Sequence, residues 1–248
     1  MVGTVERSGY RFIPGPFQYS GGVGALPGFA IRRVRFTKPV PLADGFERIA
    51  GFLHDEGQPL TALCACELRS PAQFTDAGFV AFNRQYVGTL QSWGIVQGDV
   101  NPVARSNVCP EFGKPEAPSF YAFSFVAPSP VAGSFVIAGS GEAQEGDGPY
   151  RDKIVRYGET SPDAVAEKMR FVMRQMEQRM TMLDAGWPMV TATQVYTVHD
   201  IHPSLALEIV AKSAASHGIT WYFCRPPVVG LEYEMDCRAV FDERVLQA

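Results

Sequence analysis

The sequence predicts an α+β chain made of two consecutive units with the same order of elements, and three observations lead there. Hydrophobic residues switch between a helical and an extended period. They do so twice along the 248 residues, each pass reading strand, helix, strand, helix, strand. Between the passes lies Pro128-Ser129-Pro130-Val131-Ala132-Gly133, which interrupts both periods and marks a boundary. The expected units are therefore 1–128 and 129–248.

In the first pass, Arg32-Arg33-Val34-Arg35 alternates charge with an apolar position and reads as the solvent side of a strand. After Pro41, the stripe Leu42, Phe46, Ile49, Ala50 and Leu53 predicts a helix closed by Gly57. Leu60 to Leu68 is short, apolar and unbroken, a buried strand. Phe79, Phe82, Tyr86, Leu90 and Trp93 give a second helix, and Ser119 to Val126 an aromatic-rich strand.

The second pass repeats the order. Ser134 to Ala138 is a strand running into Gly139-Ser140-Gly141. Ser161-Pro162-Asp163 is a helix start, with a capping hydroxyl, proline at the first helical position and an acid in the first turn. Its stripe of Val165, Met169, Val172, Met176, Met180 and Leu183 has the spacing of a core face. Met189 to Tyr196 is a strand, a helix runs from Pro203 to Gly218, and Leu231 to Arg238 closes the chain as a strand.

Hydrophobic residues make up 46% and charged residues 19%, the balance of a folded globular protein. A net charge of -4 with no clustered basic face excludes a nucleic-acid binder. Neither a signal-peptide core nor an apolar run of membrane length is present, so the expectation is a cytoplasmic protein without a membrane partner. The five cysteines, an odd number without framework spacing, are expected as free thiols. Cys64 and Cys66 would share one strand face but lack the further pair a zinc site needs. His199 and His202 flank a strand-to-helix junction, and Cys109 reads as a structural thiol.

Several short motifs resemble the YjgF/RidA superfamily. Phe82-Asn83-Arg84-Gln85-Tyr86 followed by Ala104-Arg105-Ser106-Asn107-Val108 is similar to its F-N-x-x-Y and P-A-R-S-x-V segments. Gly15-Pro16-Phe17 resembles its G-P-Y opening, Gly139-Ser140-Gly141-Glu142 its S-G-Q turn, and Leu231-Glu232-Tyr233-Glu234 its closing V-E-I-E strand. The resemblance covers most of the chain. It implies two tandem YjgF/RidA-like (chorismate-mutase-like) units, each a mixed sheet with two helices on one face, assembled as a homo-oligomer, with a trimer favoured. It further implies hydrolytic deamination of an imine or enamine of a small unsaturated carboxylate, 2-aminoacrylate-like or 2-aminomuconate-like. No metal or organic cofactor is implied. Alternatives are a chorismatase-like hydrolase and a non-catalytic carboxylate-binding or chaperone-like protein.

The resemblance carries site residues too. Arg105 matches the carboxylate-binding arginine, whose planar fork suits that group. Glu232 matches the glutamate that activates water, although Glu234 has the same strand parity and either could be the base. Tyr121 is a third catalytic candidate, Glu142 a reserve, and Asn83, Ser106, Ser140 and Gly141 are expected to contact substrate. The first unit has Ser119-Phe120-Tyr121 where its glutamate should fall, and the second has Gly218-Ile219-Thr220-Trp221 where its arginine should be. One composite site is therefore expected, with Arg105 and Asn83 on one wall and Glu232 on the other.

Overall fold

The computed structural model describes residues 2–144, 146 and 148–248. Two mixed sheets stack face to face, with helices on the outer side of each. One sheet has six strands in the order β11 (Cys224–Arg225), β6 (Ala104–Pro110), β5 (Leu63–Arg69), β7 (Ser119–Pro128), β4 (Phe29–Pro41) and β13 (Glu243–Leu246). The other has seven, ordered β1 (Gly3–Val5), β2 (Tyr10–Ile13), β3 (Gly22–Ala25), β8 (Phe135–Gly141), β12 (Glu234–Ala239), β9 (Ala192–Tyr196) and β10 (Thr220–Tyr222). Four α-helices complete the described residues: α1 (Leu42–Asp55), α2 (Asp76–Ser92), α3 (Pro162–Met182) and α4 (His202–Glu208).

The helices form where apolar stripes meet a sheet. Leu42, Phe46, Ile49 and Leu53 of α1 and Phe79, Phe82, Tyr86 and Leu90 of α2 are buried in one cluster with Phe120, Phe123 and Phe125 of β7. The Thr75 hydroxyl accepts from Gly78 N at 3.1 Å and so caps α2. Ser161 does the same for α3, accepting from Ala164 N at 3.3 Å. Met169, Met173, Met176 and Met180 of α3 pack on β8, β9 and β12 as core. The fourth helix is shorter than its sequence predicts: Ile209 leaves helical geometry at φ -118°, and a short 3-10 turn follows it.

The expectation of two tandem YjgF/RidA-like units is corrected by the strand order. β1, β2 and β3 come first in the chain yet extend the sheet of the second half, Gly22–Gly24 pairing with Phe135–Ile137. In return β11 and β13 come from the second half and close both edges of the other sheet, on β6 and β4. An edge strand presents unpaired backbone groups; here the second half covers both edges of the first half's sheet, and the first half covers one edge of the other.

Two smaller corrections follow from alternation. Arg33 does not face water. On β4 it shares the inner face with Ile31, and its guanidinium donates to both Glu67 oxygens at 2.5 and 2.8 Å. Burial alone would raise the Glu67 pKa, but Arg33 brings it down to about 2. Cys64 and Cys66 do not share a face either. A bulge between Leu63 and Ala65 sends Cys64 into the layer between the sheets and Cys66 into the helix-side core.

Candidate functional site

A cavity of about 360 Å³ opens where the two sheets part. Arg105 and Asn107 reach it from β6, Gly139, Ser140 and Gly141 line it from β8, and Glu234 enters from β12. Tyr19, Tyr150, Lys153 and Arg179 complete its polar wall. These lining residues come from both sheets.

Arg105 is only 3% exposed and lies over the faces of Tyr19, Phe79, Phe82 and Tyr86, 4.9–5.7 Å from their centroids. Those rings stabilise a cation but cannot accept its directional N–H bonds. Its Nη1 has no hydrogen-bond partner among the described residues. Burial draws the Arg105 pKa down, yet a guanidinium remains charged. A buried cation without a counter-charge is costly unless a ligand supplies one.

Glu234 opens β12 opposite Gly141 and Tyr196 and is 4% exposed. Burial first, then the neighbouring carboxylates of Asp236 and Glu142, push its pKa well above the ordinary carboxylate value, with Arg105 opposing. Burial therefore favours its protonated form more than it would for an exposed carboxylate. Gly139 makes room for it, because a Cβ there would overlap Glu234 Oε1.

The strand leading to Glu234 is pinned from below. Glu142 accepts from Glu232 N at 2.7 Å and from Tyr233 N at 3.1 Å, while Lys168 Nζ donates to it at 3.1 Å. Both members of this ion pair are fully buried. Lys168 also donates to Val155 O at 2.7 Å, tying α3 to the segment that borders the cavity.

The expected residues divide. Arg105, Ser140 and Gly141 line the cavity. Glu232 does not. It precedes β12, so the parity argument linking it to Glu234 does not apply, and its carboxylate meets His199 Nε2 at 2.7 Å and Arg225 Nη1 at 3.0 Å. Tyr121 lies in an aromatic group around Arg69, its hydroxyl 3.3 Å from that of Tyr222 and its ring centroid 4.1 Å from the Arg69 guanidinium carbon. Asn83 is fully buried inside α2, and Ser106 points between the sheets to donate to Asp236 at 2.5 Å. Asn107, Tyr150, Lys153 and Arg179 went unnoticed in the sequence. For Asn107 a signal existed, since it shares strand parity with Arg105. Among the described residues no group of three His, Cys, Asp or Glu side chains could hold a metal ion, and no helix is long and apolar enough to cross a membrane.

A sequence model of the family described as "2-aminomuconate deaminase CnbZ" matches residues 2–244. The 2-amino-5-chloromuconate deaminase of Comamonas testosteroni is 48% identical over 241 residues, covering 96% of each protein. Among solved structures, a chorismatase aligns with a TM-score of 0.52 and 11% identity, over 89% of this chain and 77% of the other. That last likeness is one of fold, and it extends across both sheets. These matches correct the YjgF/RidA resemblance, because the matched family is a different one. In this chain Phe82 and Tyr86 pack their rings against Arg105, with centroids 5.5 and 4.9 Å from its guanidinium carbon.

Proposed function

Since the chain belongs to the CnbZ family of 2-aminomuconate deaminases, we propose that it is a deaminase acting on a muconate-like amino acid and that it works by hydrolysis. The observation that carries the reading is the pairing, on one cavity, of a buried Arg105 whose Nη1 has no partner among the described residues with a buried Glu234 whose pKa is raised by that burial. The arginine supplies the missing half of an ion pair with a substrate carboxylate. The glutamic acid supplies a proton where an enamine needs one.

In the proposed sequence, Glu234 gives its proton to the electron-rich carbon of the enamine, converting the C–N bond to an iminium. The resulting carboxylate accepts a proton from water as the oxygen attacks the iminium carbon. The tetrahedral adduct then receives that proton on nitrogen, the C–N bond breaks, and ammonia leaves. Glu234 then takes the hydroxyl proton, which completes a 2-oxo acid and restores the glutamic acid for the next turnover. The sum is enamine plus water giving ketone plus ammonia, with no change of oxidation state. Arg105 holds the carboxylate next to the reacting carbon and so fixes the electrophile relative to Glu234.

Purified protein incubated with 2-aminomuconate should release ammonia, with 2-aminoacrylate and chorismate run in parallel. Release from 2-aminomuconate together with incorporation of ¹⁸O from labelled water into the ketone is the expected result. Absence of ammonia from 2-aminomuconate would overturn the reading, and ammonia without ¹⁸O at the first turnover would overturn its hydrolytic step.

A further inference from the structure

Asn107 follows Arg105 by two residues on β6, so both side chains leave the strand on the same face. Both line the cavity, and both are 3% exposed. The amide of Asn107 is oriented by a second residue. Ser70 Oγ donates to Asn107 Oδ1 at 2.9 Å, and Ser70 is itself fully buried, its own N–H bonded to Val108 O at 2.9 Å. With the carbonyl end of the amide occupied, the Nδ2 end is turned away from Ser70. That nitrogen has no hydrogen-bond partner among the described residues.

Buried amide donors are almost always satisfied in folded proteins, and an unpaired one on a residue that lines a cavity calls for an acceptor from outside the chain. Arg105 Nη1 presents the same vacancy from the neighbouring position on the strand. Two unsatisfied donors on one strand face, one charged and one neutral, match an acceptor that has two oxygens.

We infer that Asn107 is a substrate-binding residue that shares a carboxylate with Arg105, each donating to one oxygen, and that Ser70 is the positioning residue that keeps the Asn107 amide the right way round. The inference rests on the reading of Arg105 as the carboxylate anchor. It adds a geometric requirement, because a group with a single acceptor oxygen would leave one of the two donors open.

Asn107→Asp tests it with little disturbance. The aspartate keeps an oxygen for Ser70 and exchanges only the open N–H₂ for a second oxygen. The probe is muconate, a dicarboxylate without the amino group, so that binding is measured by calorimetry apart from turnover. At neutral pH the variant should bind muconate roughly ten- to a hundredfold more weakly than the parent. Acidification should restore part of the loss, since a protonated aspartate again offers a donor and an ionised one repels the ligand. Ser70→Ala should weaken binding by a smaller factor and leave kcat unchanged. Should the aspartate variant fold poorly, Asn107→Ala carries the same expectation of weakened binding without the pH rescue.

Arg105→Met is the control. Unchanged muconate affinity in the Asn107 variants, with binding lost in Arg105→Met, would overturn this inference and leave the anchor standing. Unchanged affinity in all of them would overturn the anchor itself. A weakened Asn107→Asp with no pH dependence beyond the parent's would overturn the donor role.

Discussion

The Glu234 carboxylate lies so close to Gly139, two residues along β8 from its register partner Gly141, that the glycine has no room for a Cβ. The backbone of Gly139 is not in the left-handed region, so the requirement is one of space. Gly139→Ala should therefore displace Glu234 and lower kcat with little change in KM. The strain of the added methyl should cost about 1–3 kcal/mol of stability. Steady-state kinetics beside a urea titration checks both.

Glu234→Gln keeps the shape of the side chain and removes the proton it is proposed to transfer. Turnover should fall by about 10²–10⁴-fold, with KM nearly unchanged.

The same substitution has a signature in stability. Burial raises the folded pKa of Glu234 above the ordinary value of 4.5. A group shifted in that direction contributes fully below its unfolded pKa, and the contribution is lost as pH rises through the folded value. The parent should thus lose stability as pH climbs above about 4.5, and Glu234→Gln should lack that part of the slope. Urea midpoints measured across pH for both proteins decide the matter.

Arg105→Met removes a buried cation whose Nη1 has no partner among the described residues. The ligand-free protein should become more resistant to urea while substrate binding is lost. Arg105→Lys retains the charge but not the planar fork, and kcat/KM should fall roughly ten- to a hundredfold. A protein that lost stability in Arg105→Met would show that the aromatic faces alone satisfy the guanidinium.

Glu232 offers the complementary case. Its carboxylate is held by His199 and Arg225 outside the cavity. Glu232→Gln should cost up to about 1 kcal/mol, the scale of a partly exposed ion pair, and leave kcat/KM near the parent value. A large loss of kcat would return the base to Glu232.

Much of the fold was legible in local pattern. The stripes of α1, α2 and α3 and the cap at Ser161 record burial and backbone satisfaction, both of which follow from neighbours in sequence. Pairings between the halves were not legible. Nothing local tells β3 to join β8, or tells Arg33 that β13 and Glu67 will cover it. The site shows the same limit. Arg105 stands in a recognisable run, but the choice between Glu232 and Glu234 turns on where β12 begins, and that is set by Glu142, some ninety residues upstream, holding the backbone of Glu232 and Tyr233.

The exchange of edge strands has a consequence for how the chain is made. The hairpin of β2 and β3 is synthesised first, yet its partner β8 begins at Phe135. The outer edge of β4 waits longer still, for β13 at Glu243–Leu246, five residues or fewer from the end of the chain. During synthesis the sheet of the first half therefore keeps open edges until β11 and β13 have been made. Contacts of such long sequence separation slow folding, and exposed edges in that interval invite pairing between nascent chains. β13 is thus a seal on the sheet of the first half, and disrupting Glu243–Leu246 should yield protein that aggregates during synthesis while sparing every residue of the cavity.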